Sequence, residues 1–401
     1  MDKKKILFLM DDIWSMGPGK GVTSTWRLLQ RAEQDFEIVV ITTDSEFKAE
    51  SLPNASVLKV KKPKVTTGLR FLDLVLMRVS VLFVNFQQIL IALICVKSRP
   101  DVIYCSSSVP VFAAFVLRIF WRTRLIHRIY GTFLFPFLGN SWRLLRKYEE
   151  VALFRLFADL YIITDDGTNG DLVAQYFGIP PNKVSYLRNG IEHIDFKGDS
   201  RQRRAELFRK YGIPESELVL VTVSRLVRWK RVARVVEAFK RANVKDSCLL
   251  VLGDGPDRDE LMAQAKGHRI YFLGAVLNDE VKLFLSCSDL FLSFFDYSNV
   301  GNTLLEAISY GLPVITLDVG QTKKVIGPTN GILIPAGGES EIVSSAAEAI
   351  QDLAADKKKY GKLSFGALAF SKLYLETWDD RISREIEIIA GLAVSKVGVD
   401  G

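Results

Sequence analysis

The sequence predicts an α/β protein of two doubly wound, Rossmann-like domains. Two observations carry that prediction. Short runs rich in Ile, Val, Leu and Phe alternate with longer segments of helical period along the whole chain. The alternation runs as two series separated by a polar stretch, and 401 residues suffice for two cores. Near-continuous apolar strands between helices imply parallel sheets covered on both faces.

The first series places strands at residues 6–9, 37–42, 102–105, 125–129, 160–164 and 183–187. The five-residue apolar run after Lys3-Lys4-Lys5 is too short for a secretory signal and suits a first strand. Residues 81–96 are strongly apolar but broken by Asn85, Gln87 and Gln88. They read as a buried or interfacial helix rather than a membrane span. The turn signal Asn189-Gly190 and the polar link Lys197-Gly198-Asp199-Ser200 mark the boundary. Strands of the second series fall at 218–223, 247–252, 269–273, 290–294, 313–316 and 332–334. The expected division is therefore 1–195, 196–375 and a closing helical segment at 376–401.

Hydrophobic residues make up 48% and charged residues 25%, which excludes a disordered or fibrous chain. The net charge of +7 suits a phosphorylated ligand, anionic lipid or nucleic acid. Cys95, Cys105, Cys248 and Cys287 form no CxxC pair, and only three His are present. Neither a zinc site nor a disulfide framework is supported, and reduced cytosolic thiols are expected.

Four loops carry the candidate chemistry. Gly17-Pro18-Gly19-Lys20-Gly21 follows the first strand and is neither GxGxxG nor a P-loop. Its reading divides between an anion cradle and a plain strand-to-helix turn. Ser224-Arg225-Leu226-Val227-Arg228-Trp229-Lys230-Arg231 follows the first strand of the second series, where open α/β sheets bind ligands. Arg225 offers a planar fork and Lys230 a mobile charge to phosphate, while Arg228 and Arg231 are expected to face solvent. Gly253-Asp254-Gly255-Pro256 reads equally as a structural turn or a ligand contact. In the fourth loop, Ser298-Asn299-Val300-Gly301-Asn302, a Gly precedes a helix whose N-terminal N–H groups attract anions. Glu306, amid Leu304, Leu305 and Ala307 and expected near the helix start, is aimed at a ligand rather than at bulk water.

These motifs, in this order, resemble the retaining glycosyltransferases of the GT-B fold, family 4 (glycosyl transferases group 1). The resemblance spans residues 5–389. It also includes Tyr130-Gly131-Thr132-Phe133, the hinge-like Arg188-Asn189-Gly190-Ile191-Glu192, Phe272-Leu273-Gly274, Ser288-Asp289-Leu290, Gly311-Leu312-Pro313-Val314-Ile315 and Thr377-Trp378-Asp379-Asp380-Arg381. It implies an N-terminal acceptor-binding domain and a C-terminal nucleotide-sugar domain facing a cleft, with the last helix crossing back. It assigns catalytic roles to Arg225 and Lys230, holding the donor diphosphate, and to Glu306, holding the ribose hydroxyls. Gly17, Gly19, Lys20, Tyr130, Gly253, Gly255, Phe272, Gly274, Ser298, Asn299, Val300, Gly301 and Asn302 are implied to bind the donor. Of these, Asn299, Val300 and Gly301 present backbone N–H groups, and the base lies along residues 272–276. The implied reaction moves a sugar from a nucleoside-diphosphate sugar to a glycan or lipid-linked acceptor. Fixed cations neutralise the leaving group, so neither a metal nor another cofactor is expected.

Two positions depart from the family pattern. Ser298 stands where the family carries Glu, which shifts donor-sugar recognition toward Asn299 or Asn302. Tyr130 stands where the family's His precedes the loop Gly. His127, three residues earlier, reads as a core residue. A sugar-nucleotide epimerase is an alternative, but His127, His193 and His268 form no acid/base constellation. A non-catalytic nucleotide-sugar binder is the other. Nucleic acid is not an expected partner, because no recognition module is present.

The expected compartment is the cytoplasm. Basic residues Lys59, Lys61, Lys62 and Lys64 precede the apolar stretch, and Arg118, Arg122, Arg124, Arg128, Arg143, Arg146 and Lys147 follow it. Two readings stand side by side: peripheral docking on the anionic inner face of the plasma membrane, or a core helix beside a solvated charged face.

Overall fold

The computed structural model describes residues 3–11, 23–45, 47, 50, 52–63, 67–68, 70–196 and 199–394. Gly17, Gly19 and Lys20 lie outside the described residues. The chain divides into two units. One comprises Met1–Asp165, Asn169–Arg188 and Asp379–Gly401; the other comprises Asp166–Thr168 and Asn189–Trp378.

The first unit runs β1 (Lys5–Met10), α1 (Thr23–Asp35), β2 (Glu37–Thr42), β3 (Ala55–Lys59), α2 (Arg70–Cys95), β4 (Val102–Ser106), α3 (Val111–Trp121), β5 (Arg124–Ile129), α4 (Ser141–Leu145), α5 (Tyr148–Arg155), β6 (Leu160–Thr164), α6 (Gly170–Tyr176) and β7 (Val184–Leu187). Its strands form one parallel sheet in the order β3-β2-β1-β4-β5-β6-β7. β1 and β4 are buried along their length because helices cover both faces, which is why they read as unbroken apolar runs. The edge strand β3 escaped the sequence reading. It is half-exposed, so its polar residues break the apolar run.

The second unit continues with α7 (Ser200–Tyr211), β8 (Leu218–Val223), α8 (Val232–Ala242), β9 (Ser247–Leu252), α9 (Arg258–Gln264), β10 (Ile270–Gly274), α10 (Asn278–Ser286), β11 (Leu290–Ser293), α11 (Asn302–Ser309), β12 (Val314–Leu317), β13 (Gly331–Ile334), α12 (Glu339–Ala355) and α13 (Lys357–Tyr374). The parallel sheet order is β10-β9-β8-β11-β12-β13. The sheet order reverses between β8 and β11, so the loops leaving these strands meet at a topological switch point.

The closing helix α14 (Trp378–Val394) starts in the second unit and crosses back. Its Ile382, Ile386 and Ile389 are buried among Ile6, Phe8, Ile38 and Tyr104 of the first unit. Each such side chain contributes about 1.5–3 kcal/mol by leaving water. The same core holds charge: Arg128, Arg381 and Glu385 are all at most 1% exposed. Glu385 accepts hydrogen bonds from Arg381 and Tyr104 and pairs with Arg128 Nε at 3.3 Å. At the two chain crossings, Ile191 N–H donates to the Glu376 carbonyl at 2.9 Å and Trp378 N–H to the Ile191 carbonyl at 3.2 Å.

Candidate active site

The Ser224–Arg231 loop leaves the carboxyl end of β8 and tightens into a 3-10 turn, Arg228–Lys230. Arg225 and Arg228 are exposed. Lys230 is not. Its Nζ lies 3.7 Å from the ring centre of Phe295 and 4.2 Å from that of Trp229. Burial and the Arg225 charge push its pKa down to about 8, with Asp166 pulling weakly the other way. Among the described residues neither Arg225 nor Lys230 forms an ion pair. Arg231 keeps 36% of its side chain exposed but does not stand free in solvent. It pairs with Asp296 at 2.7 Å, in a network that includes the buried Arg234 and the exposed Glu339. That network ties the loop after β11 to α8 and α12.

The Gly253–Pro256 loop holds the Arg225 loop from behind. Leu226 N–H donates to the Asp254 carbonyl at 2.9 Å, and Asp257 N–H to the Leu226 carbonyl at 3.1 Å. Gly253 has φ +125°, and a Cβ there would lie 1.9 Å from the Ser224 carbonyl oxygen. A Cβ on Gly255 would lie 2.3 Å from that of Leu226. Of the two sequence readings of this loop, the structural turn accounts for both glycines: their missing side chains admit neighbouring backbone. Gly253 N–H reaches the Gly274 carbonyl at 2.7 Å, which joins the ends of β9 and β10. Phe272 and Gly274 are partly exposed there, and the space around Gly274 is open.

The fourth loop is more committed than its sequence suggests. Asn299 is 1% exposed. Its Oδ1 accepts from Phe295 N–H at 2.9 Å, and its Nδ2 donates to the Leu317 carbonyl at 3.3 Å. That amide is used up internally, so the expectation that it reads the donor sugar is corrected. The Asn299, Val300 and Gly301 N–H groups already bond to Thr322 Oγ1, Ser298 Oγ and the Asn299 carbonyl. Val300 is a core side chain. The Asn302 side chain remains partly exposed, its Oδ1 accepting from Asn189 Nδ2 at 2.7 Å.

Ser298 shows where the departure from the family pattern leads. Its hydroxyl donates to the Asp166 carbonyl at 2.5 Å, anchoring the Asp166–Thr168 segment in the second unit. Gln321 N–H holds the same segment through the Gly167 carbonyl at 2.9 Å. Asp166 thus stands near Lys230, a neighbour that sequence reasoning missed. The available signal was Asp166-Gly167-Thr168, a turn at the carboxyl end of a parallel strand.

Glu306 lies in the second turn of α11, whose first residue is Asn302, so it stands deeper in the helix than expected. Burial raises its pKa to about 7, Lys282 opposing this and Glu192 adding to it. Lys282 itself is buried and bonded to Glu192 at 2.6 Å.

In the first unit, the Tyr130 hydroxyl bonds to Thr25 Oγ1 at 2.8 Å and Ser106 Oγ at 2.9 Å, and its ring covers the Arg128 guanidinium. His127 is fully buried, with Nδ1 2.8 Å from the Leu153 carbonyl and its pKa lowered to about 4 by burial. It is a core residue, as its place on a strand suggested.

The fold and these strand-end loops define a two-domain GT-B protein. Residues 21–193 match the family model Glycosyltransferase Family 4, and residues 217–356 match Glycosyl transferases group 1. The chain belongs to this family of glycosyltransferases. It is 35% identical over 183 residues to N-acetyl-alpha-D-glucosaminyl L-malate synthase of Bacillus anthracis, covering 43% of this chain and 46% of the relative. It is 35% identical over 112 residues to alpha-monoglucosyldiacylglycerol synthase of Acholeplasma laidlawii, covering 26% and 28%. The chain spans about half the length of the first curated relatives it matches. HepE of Anabaena, solved in complex with UDP and glucose, superposes with a TM-score of 0.70 at 19% identity, covering 97% of this chain and all of that one.

Proposed function

We propose that this chain is a retaining glycosyltransferase, taking a sugar from a nucleoside-diphosphate donor to a glycan or lipid-linked acceptor on the cytoplasmic side. One observation carries the reading. Two cations, Arg225 and Lys230, share a strand's carboxyl end without an ion-pair partner among the described residues, and one of them is desolvated on aromatic rings. A partly buried ammonium without an ion pair costs stability in the free protein, and a ligand anion offsets that cost. A leaving diphosphate gains charge as the glycosidic bond breaks, so these cations act most strongly in the transition state. They also do the neutralising work for which other transferases use a metal. Glu306 accepts the ribose hydroxyls as a carboxylate. HepE, solved with UDP and glucose, supports a nucleotide-sugar donor. The retaining course rests on the family resemblance.

The experiment is a turnover assay with a panel of nucleoside-diphosphate sugars, with and without chelator. Acceptor-dependent release of nucleoside diphosphate is expected, unchanged by EDTA and with the anomeric configuration kept. Arg225→Ala and Lys230→Ala are each expected to lower kcat/KM at least about a hundredfold, the scale set by losing one preorganised contact to the transition state. Isomerised donor without transfer would mark an epimerase. Near-wild-type kinetics in both variants would remove the assignment.

A further inference from the structure

Helix α2 is apolar on its outer face as well as its inner one, and polar residues lie inside. Along its middle, the residues turned into the first unit include Ser80, Asn85 and Gln88, all at most 5% exposed. Asn85 Nδ2 donates to the Val81 and Val109 carbonyls at 2.8 Å each, and its Oδ1 accepts from Ala113 N–H at 2.7 Å. Gln88 Nε2 donates to the Met10 carbonyl at 3.3 Å. The outward residues are Val79, Leu82, Phe83, Phe86, Leu90 and Ile94, with exposures from 45% to 71%. Residues 79–96 contain no charge. An ordinary surface helix has the reverse arrangement.

The adjacent α3 extends the apolar surface through Val116, Ile119 and Phe120, and α4 adds Trp142 and Leu145 at 68% and 61%. Contacts make these one region. Phe112 of α3 stacks on Tyr148 at 6.4 Å, and Arg78 of α2 lies over the same ring at 5.6 Å. At the other end Arg99, just beyond α2, donates to the Arg122 carbonyl at the end of α3.

The charges at its edges identify the occupant. Residues 74–100, 110–124 and 138–147 contain no Asp or Glu. Exposed Lys97, Arg99 and Arg122 gather where α2 and α3 end, and exposed Arg143, Arg146 and Lys147 flank Trp142 and Leu145. Arg118 and Arg124 pair with Asp159, and Arg128 is buried against Glu385, so these three leave the set that the sequence suggested. A protein interface carries a polar rim and regularly spaced hydrogen bonds across it. A largely apolar face with cations gathered at its margins, and Asp73 in the first turn of α2 as that helix's one carboxylate, matches acyl chains beneath anionic headgroups. α2 does not cross that bilayer in this fold. Its inner face supplies Val81, Val84 and Ala92 to the first unit's core, and spanning would strip Asn85 and Gln88 of their partners.

We propose that the outward faces of α2 and α3 insert into an anionic membrane in a monotopic fashion, with α4 and the flanking cations at headgroup level. This surface belongs to the first unit and shares no residue with the donor-site loops of the second.

The test is flotation of the full-length protein with vesicles of phosphatidylglycerol and phosphatidylcholine, against phosphatidylcholine alone, at low and high salt. Flotation with anionic vesicles is expected, weakened by salt, and released by alkaline carbonate. Phe83→Glu with Phe86→Glu alters only exposed positions and is expected to abolish flotation while circular dichroism and donor-dependent thermal shifts stay unchanged. Replacing Arg143, Arg146 and Lys147 by Gln is expected to lower partitioning about a hundredfold, from roughly a factor of five per cation. No flotation at low salt, or flotation indifferent to the Phe substitutions, overturns the proposal. Resistance to carbonate overturns it in favour of a span, and a concentration-dependent dimer lost in the Phe variant without flotation overturns it in favour of a second copy.

Discussion

Lys230 and Glu306 are displaced toward each other by the same cause. Burial lowers the lysine to about 8 and raises the carboxyl to about 7. Both are charged only in the interval between, so kcat/KM for the donor is expected to rise through pH about 7 and fall through about 8. Glu306→Gln should remove the acidic limb, and Lys230→Arg should move the alkaline limb upward, because a guanidinium stays protonated. A profile flat from about pH 6 to 9 in the wild type would contradict the assignment. Linkage gives a second readout. A carboxyl whose folded pKa lies above its unfolded value makes the protein lose stability as pH rises from the unfolded pKa, a loss complete above about pH 7 and absent below the unfolded pKa. Glu306→Gln should therefore stabilise the protein at pH 8, on the order of 2 kcal/mol, and leave it unchanged near pH 4. Mass spectrometry of the wild type under turnover should find no sugar attached to Glu306, consistent with a binding rather than a nucleophilic role. At this scale the sequence named the charged groups, because their residue types and strand-end positions declare them. It did not show that Asn299 is spent internally, because that depends on partners brought in from Phe295 and Leu317.

Among the elements, the loops after β8 and β9 act as one piece. Gly253 is tested by adding a single methyl. Its Cβ would lie 1.9 Å from the Ser224 carbonyl oxygen at φ +125°, so Gly253→Ala must move the loop that carries Arg225. Overpacking and backbone strain together are expected to cost about 3 kcal/mol or more. Donor kcat/KM should fall at least tenfold, about 1.4 kcal/mol of transition-state stabilisation. Gly274→Ala is the control. Gly274 has φ +72° but no atom within 4 Å of the added carbon, so only a strain of about 1–2 kcal/mol is expected, with little loss of activity. Equal effects of the two substitutions, measured by denaturant titration and donor kinetics, would refute this division of labour. Strands buried on both faces were legible as apolar runs, and the starts and ends of most lie within one residue of expectation. β3 was not, because an edge strand keeps polar residues. α2 was legible as apolar and helical, yet its orientation was not. A helix with polar residues inside looks, in sequence, like an imperfect core helix.

The whole molecule depends on its last helix. α14 begins at Trp378 in the second unit and spends the rest of its length in the core of the first. The crossover was readable from Thr377-Trp378-Asp379-Asp380-Arg381 only through the family resemblance. The electrostatic linkage inside it was not readable at all, since Arg128 and Glu385 lie hundreds of residues apart in sequence. Two guanidinium groups share one carboxylate there. Arg128 Nη2 and Arg381 Nε and Nη2 are buried without a hydrogen-bond acceptor. Burial and the neighbouring Arg128 hold the Arg381 pKa down at about 9. Removing the single anion leaves two uncompensated buried cations, a change that costs about 3–5 kcal/mol. Glu385→Gln keeps the shape and removes the charge, so it is expected to lower stability by that amount. Because the triad lies wholly within the first unit, the loss should be local. Hydrogen exchange should accelerate in β1, β4, β5 and α14, while β8, β9 and β11 keep their protection. Uniform acceleration across both units would mean that the two cores unfold as one. Unchanged exchange in β1 and β4 would mean that the triad does not hold α14 in place. Replacing Arg381 and Glu385 together by Met and Leu should recover part of the stability, since a neutral pair of similar volume leaves only one cation buried.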